Sequence, residues 1–340
     1  MDSLKFVRAL DRAFKLPLAE PWDNVGLLIQ PSVHASVKRI LLTIDLTEPV
    51  LQEAVTKNVN FILSYHPPIF RPFKRLTQDH WKERIIVQCI ENKIGVYSPH
   101  TALDAVNGGI NDWLISPFET SKVLPIQRHK CTDQPTLYTV KCGTVLQGFC
   151  MKEQIAPLPV DSCSTIGRST QLELASDDVA MALGDTVLDT SQPINFDSAE
   201  GPGRIALLSK PCAISSIVDA YKRLLGVEFL KVALGAGKKM DSLVACVAVC
   251  AGSGGSMFSS EPMVRVADLL FTGEASHHEQ LDVVSRGVTV ITAGHSVSER
   301  GYLSQRLKPW LERLVSELSH DGSDVVIEVS ATDAEPGIIM

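Results

Sequence analysis

Two stretches of this chain, one near each end, run through the same order of short apolar runs and amphipathic segments. Short apolar strands linked by helices pack as a largely parallel sheet with helices covering it, so this order restricts the fold class sharply. In the first stretch, residues 39–46 form an apolar run suited to a buried strand, and residues 48–58 place Val50, Leu51, Ala54 and Val55 on one helical face. Residues 61–65 are the next strand, and the Pro67-Pro68 pair after His66 stops either element from continuing. A helix over 81–92, with Ile85, Ile86, Cys89 and Ile90 facing inward, leads to a strand over 94–97. The second stretch repeats the order with strands over 241–250, 268–272 and 288–292 and a helix over 276–285.

The two stretches also match in position. Ile62-Leu-Ser-Tyr-His66 aligns with Leu270-Phe-Thr-Gly-Glu274, and Val96-Tyr-Ser-Pro-His100 aligns with Ile291-Thr-Ala-Gly-His295. The expected architecture is therefore α/β, with two related lobes of mixed, largely parallel sheet covered by helices. Between them, residues 127–203 are rich in Cys, Pro, Ser and Asp, with short alternating pieces such as 137–141 and weak helical periodicity near 179–188. They read as a small inserted α+β segment, which divides the chain into residues 1–126, 127–203 and 204–340. A helix over 214–225 and a strand over 229–234 lead into the second lobe.

A hydrophobic content of 45% is ample for two buried cores, while Lys+Arg 32 against Asp+Glu 39 gives a net charge of -7 and no global field for nucleic acid. The basic run Arg71-Pro-Phe-Lys-Arg75 is short and reads as a solvated loop, so no direct nucleic-acid partner is expected. Eight cysteines occur without a Cys-x-x-Cys pair, mostly in apolar or mixed segments, which fits reduced buried thiols. The first residues have helical spacing at Leu4, Val7, Leu10 and Phe14 with charges between them, unlike a secretory leader, and no run is long enough for a membrane span. The cytosol is the default location, with the nucleus open as well.

Polar residues collect where these strands end. They are His66, then His100 and Asp104 in Ser98-Pro-His-Thr-Ala-Leu-Asp104, and His295 and Glu299 in Gly294-His-Ser-Val-Ser-Glu299. Loops at the carboxyl ends of strands are where α/β sheets place ligands, so distant segments can converge there. Imidazole nitrogen and carboxylate oxygen without thiolate suit Zn, Fe or Mn. His295 and Glu299, four residues apart at a helix start, share one face. Each residue alone has a bland reading: a satisfied histidine, a helix-dipole glutamate, a loop-capping aspartate. Together they favour a metal site of one or two adjacent ions. Glu274, close behind a strand, and His277 and His278, at a helix start, are further candidates for acid–base or substrate contacts. The Gly-rich Ala251-Gly-Ser-Gly-Gly-Ser256 lacks both the P-loop ending and the dinucleotide spacing, so tight backbone packing is its better reading.

Several of these motifs closely resemble the NIF-three-like family, also described as GTP cyclohydrolase I type 2-like. They are Trp22-Asp-Asn-Val-Gly-Leu-Leu28, Ile62-Leu-Ser-Tyr-His-Pro-Pro-Ile-Phe70, Tyr97-Ser-Pro-His-Thr-Ala-Leu-Asp104, Val249-Cys-Ala-Gly-Ser-Gly-Gly-Ser256, Thr272-Gly-Glu-Ala-Ser-His-His278 and Gly294-His-Ser-Val-Ser-Glu-Arg300. The resemblance implies a two-lobed α/β protein assembled as a homo-oligomer, commonly a hexameric ring, with a two-metal site of Zn, Fe or Mn in each subunit. His66, Asp104, His295 and Glu299 match family ligands, with Glu299 expected to bridge both ions. Bacterial members carry a second His just before the position of His66. Tyr65 stands there in this chain, as in the animal branch, and it either coordinates as a phenolate or lines the pocket. The resemblance implies metal-assisted hydrolysis of the GTP cyclohydrolase kind, with His100 or Glu274 as the proton-transfer group. Its alternative is a regulatory factor that binds a transcriptional partner without turnover.

Overall fold

The computed structural model describes residues 1–32, 36–127, 200–318 and 325–337, together with the backbone of four strands at 137–142, 163–166, 169–174 and 187–194. It parts into two compact units, Met1–Trp113 with Gly294–Met340, and Leu114–Ala293.

With strands numbered along the chain, the first unit holds β1 (Gly26–Ile29), β2 (Arg39–Thr43), β3 (Phe61–Ser64), β4 (Gly95–Ser98) and, from the far end of the sequence, β15 (Val326–Val329). Their order is β1-β4-β3-β2-β15. All neighbours run parallel except β1, which is antiparallel to β4. Strands β3 and β4 are buried at every residue, as expected of parallel strands covered on both faces. Helix α1 (Ser3–Ala13) starts where Asp2 accepts a hydrogen bond from the Lys5 amide at 2.8 Å, and it buries Phe6, Val7 and Leu10. Helix α2 (Glu48–Thr56) buries Val50, Leu51 and Ala54, and α3 (Trp81–Glu91) buries Ile85, Ile86 and Cys89. Each fully buried aliphatic side chain contributes about 1.5–3 kcal/mol. Ile90 was expected to face inward, but it is 46% exposed in the last turn of α3, beyond the stripe that the sheet covers.

The second unit repeats the plan. Strands β11 (Lys231–Ala233), β14 (Thr289–Thr292), β13 (Leu269–Glu274) and β12 (Leu243–Ser253) lie side by side in that order, followed by β10 (Arg204–Ala213) and β5 (Thr120–Leu124). Strands β12, β13 and β14 are parallel, and β11 is antiparallel to β14. These four correspond in order and direction to β2, β3, β4 and β1 of the first unit, so the duplication seen in sequence is a duplication of topology. Here β10 and β5 extend the sheet antiparallel.

The inserted segment contributes β6 (Leu137–Cys142), β7 (Cys163–Ile166), β8 (Ser169–Leu174) and β9 (Val187–Ile194), paired antiparallel in the order β7-β8-β6-β9. Of the helical periodicity read near 179–188, residues 179–186 lie outside the described residues, and Val187 and Leu188 belong to β9, a strand. Among the described residues, Cys89, Cys246 and Cys250 are buried free thiols and Cys212 is a half-buried one. No helix among them is long and apolar enough to cross a membrane.

Candidate metal centre

Strand β3 hands its chain directly into the site. Beyond Ser64 the backbone stays tied to the extension of β2, with the Tyr65 amide donating to the Thr43 carbonyl at 2.9 Å and the His66 amide to that of Ile44 at 3.0 Å. His66 is thereby fixed just past the sheet, before the two prolines. Gly294 has φ +100°, a left-handed turn that an L side chain rarely adopts, and it delivers His295 to the start of the helix Val297–Tyr302. Glu299 lies within that helix, its side chain only 2% exposed.

These residues come together. His66 Nε2 stands 3.4 Å from Glu299 Oε2, and His295 Nε2 stands 3.6 Å from Glu299 Oε1. One donor atom from each of His66, His295 and Glu299 lies within 4.8 Å of the others. Bonds of about 2.0–2.2 Å in a tetrahedral arrangement separate ligand atoms by about 3.3–3.6 Å, and each imidazole stands at such a distance from one Glu299 oxygen. Glu299 Oε2 is buried without a hydrogen bond of ordinary geometry, an acceptor that a cation would satisfy. Two imidazoles and one carboxylate therefore fit a divalent Zn, Fe or Mn ion with positions left open to water or substrate.

Carboxylates behind the imidazoles orient them. Asp45 Oδ1 lies 3.0 Å from His66 Nδ1, and Asp23 Oδ1 lies 2.8 Å from His100 Nδ1. Such carboxylate–histidine pairs fix ring orientation and leave Nε2 aimed at a metal. Burial alone would push the His66 imidazole down, but Asp45 and Glu299 outweigh it and raise it to about 10. Burial likewise opposes ionisation of Asp45 and Asp23, yet the hydrogen bonds from His66 and His100 hold both carboxyls below their usual range.

Asp104 belongs to the same unit but not to the three-residue donor group. It accepts a hydrogen bond from the Tyr65 hydroxyl, and burial, with the nearby Glu299 charge adding, raises it to about 6 against the opposing pull of His100, Tyr65 and His66. Tyr65 is buried beside both imidazoles, its ring 5.0 Å from that of His66 and 5.6 Å from that of His100. His100 opens α4 (His100–Ala105) with a strained φ of +29° and lies 5.3 Å, ring to ring, from His66.

Glu274 ends β13 in the second unit and is exposed, as are His277 and His278 at the start of the helix His277–Ser285. Ser276 and Glu279 cap that helix reciprocally. The Gly-rich stretch is a packing feature: β12 continues to Ser253, and a Cβ on Gly254 would lie 2.6 Å from Cys250 Cβ, one on Gly255 2.2 Å from Glu279 Oε2.

Asp45, Asp23 and a brace on the ligand helix escaped the sequence reading. Arg300 pairs with Asp333 at 2.6 Å, Asp333 also accepts the Ile44 amide at 2.7 Å, and Ser296 donates to Glu335. The chain just after β15 thus ties the helix bearing Glu299 to the residue beside Asp45. Asp45 lies inside the apolar run over 39–46, before Leu46, so its place past the strand end was not marked in the sequence. Asp333 and Glu335 have no local signal, because their partners lie 289 and 39 residues away.

Fold and centre together define an α/β protein with two like-built sheets and an imidazole–carboxylate donor set formed just past strand ends. Residues 1–336 match the Duf34/NIF3 (NGG1p interacting factor 3) family, and the chain belongs to it. It is 37% identical to NIF3-like protein 1 of Bos taurus, over 99% of this chain and 92% of that protein. It is 33% identical to NGG1-interacting factor 3 of Saccharomyces cerevisiae, over 98% of this chain and 95% of that protein. Among solved structures, the Bacillus cereus protein related to NIF3 shares the fold with a TM-score of 0.70 at 21% identity, covering 100% of this chain and 99% of that one.

Proposed function

We propose that this chain is a metal-dependent hydrolase whose ion is held by His66, His295 and Glu299. The observation that carries this reading is the convergence of one donor atom from each of His66, His295 and Glu299 within 4.8 Å, with Glu299 Oε2 buried and lacking a hydrogen bond of ordinary geometry. A second ion would take the other side of Glu299, whose two oxygens face different imidazoles, with Asp104 as its further ligand and Tyr65 either coordinating it or lining the pocket. A divalent ion bound there supplies Lewis acidity and an activated water. The chain's own residues supply orientation and proton transfer: Asp45 aligns His66, Asp23 aligns His100, and His100 moves the proton. The substrate class includes nucleotides, in keeping with a GTP cyclohydrolase-like reaction. The assembly is a homo-oligomer, a hexameric ring, and light scattering should give a mass several times 37.0 kDa.

The test is a turnover screen of nucleotides and phosphoesters with metal-loaded protein. His100→Ala should lower the rate by about 10²–10⁴-fold with metal content intact. A loss of metal in His100→Ala would make His100 a ligand instead. The second reading, a regulatory factor acting by protein contact, in the nucleus as well as the cytosol, is favoured by the name of the yeast relative, an NGG1-interacting factor. It takes over if metal-loaded protein turns over no substrate and His100→Ala alters no activity.

A further inference from the structure

Trp22 and Phe70 are large apolar side chains left 61% and 40% exposed beside a centre otherwise built from imidazoles and carboxylates. With His100 they form a triangle of rings. Trp22 and Phe70 are 6.0 Å apart, Trp22 and His100 6.3 Å, and Phe70 and His100 6.4 Å, all edge to face. Since His100 also contacts His66, the exposed pair is one ring removed from the donor group.

The polar neighbours of Trp22 fix its loop. Asp23, its side chain fully buried, accepts from His100 and, at 3.1 Å, from the Thr101 amide. Asn24 Nδ2 donates to the Ile69 carbonyl at 2.5 Å, tying this loop to the residue before Phe70. The Glu20 amide donates to Thr101 Oγ1 at 3.0 Å. An aromatic held this firmly and still turned to solvent contributes little to the core, but it is preorganised to stack. The loop that follows Phe70 carries Arg71 and Lys74, both exposed and without an ion pair among the described residues, in a chain of net charge -7. This local positive charge favours an anionic ligand. Two ring faces offer far less area than the roughly 1,200 Å² of a stable protein interface, which favours a small molecule over a protein partner.

We propose that Trp22 and Phe70 form a stacking platform for the planar aromatic ring of an anionic small molecule whose polar end reaches His66, His295 and Glu299. The platform rests on the metal-centre reading above and adds to it a ligand class and two specificity residues.

The probe is quinoline-6-carboxylate, compared with cyclohexanecarboxylate, in calorimetric titrations of the metal-loaded full chain. The planar probe should bind at least about fivefold more tightly, since stacking on an aromatic side chain is worth roughly 5- to 150-fold in affinity. Trp22→Ala and Phe70→Ala should each remove most of that preference, and Trp22→Phe should keep it, with metal content unchanged. Equal binding of the two carboxylates, or undiminished preference in Trp22→Ala, overturns the proposal. A fall in oligomer mass on Trp22→Ala also overturns it, because Trp22 would then pack against a second copy. The same titration with metal-free protein separates the two readings. A ring preference that depends on Trp22 in a protein unable to bind metal keeps the platform and removes the metal centre. Bound metal without ring preference does the reverse.

Discussion

Glu53 should contribute measurable stability through its grip on the chain that follows β15. Its carboxylate accepts from Lys57 Nζ at 2.9 Å, from Ser330 Oγ at 2.6 Å, from the Ala331 and Thr332 amides at 3.1 Å and from Thr332 Oγ1 at 2.8 Å. Burial would push the group up, but these bonds hold it at about 2 against an ordinary 4.5. The difference sets a ceiling of about 3 kcal/mol. The side chain is only 7% exposed, yet little protein lies beyond that thin cover, so solvent screening reduces the figure to roughly 1–2 kcal/mol. Glu53→Gln removes the charge and turns an N–H₂ toward amides that need acceptors. It should lower the melting temperature by roughly 1–3 °C at pH 7. Because the folded value lies below the unfolded one, the contribution is fully present above about pH 4.5 and is lost as pH falls toward 2. The gap between wild type and Glu53→Gln, followed by urea unfolding, should therefore shrink by more than half by about pH 3. No gap at pH 7, or a gap independent of pH over this range, would refute the reasoning.

Asp45→Asn should weaken metal binding by about 10–100-fold, because His66 loses the carboxylate that orients its ring; competition with a chromophoric chelator reads this directly, and unchanged affinity would remove Asp45 from the centre. Gly301→Ala should cost about 1–3 kcal/mol by overpacking, since its Cβ would lie 2.8 Å from Trp113 Cζ2. The indole cannot easily yield, being 2% exposed and hydrogen-bonded to Gln305 at 2.9 Å; a thermal melt checks this.

Apolar runs located most of the sheet strands, but their ends drifted. The run over 39–46 suggested one strand, whereas β2 stops at Thr43 and Ile44 and Leu46 remain buried beyond it. Hydrophobicity reports burial and does not distinguish paired from unpaired extended chain, which is why Asp45 was hidden inside an expected strand. The helix over 214–225 is found as Ile214–Leu225, because Gly226 at φ +69° ends it with a local signal. By contrast, β15 joins β2 in register from Val326–Arg39 to Val329–Leu42, a parallel pairing that no neighbouring residue specifies. The donors His66, His295 and Glu299 were legible because strand-end position and residue type coincide in them. The brace through Arg300 and Asp333 was not, because an ion pair of distant residues leaves no trace in local sequence.

The most direct test of the metal centre is elemental analysis after equilibrium dialysis against Zn, Fe or Mn, performed on wild type and on Glu299→Ala protein verified as folded by circular dichroism. Wild type should retain divalent metal, and Glu299→Ala should lose most of it. A folded wild type that binds none of the three metals, or full occupancy in Glu299→Ala, would contradict the assignment of His66, His295 and Glu299 as the ion's ligands.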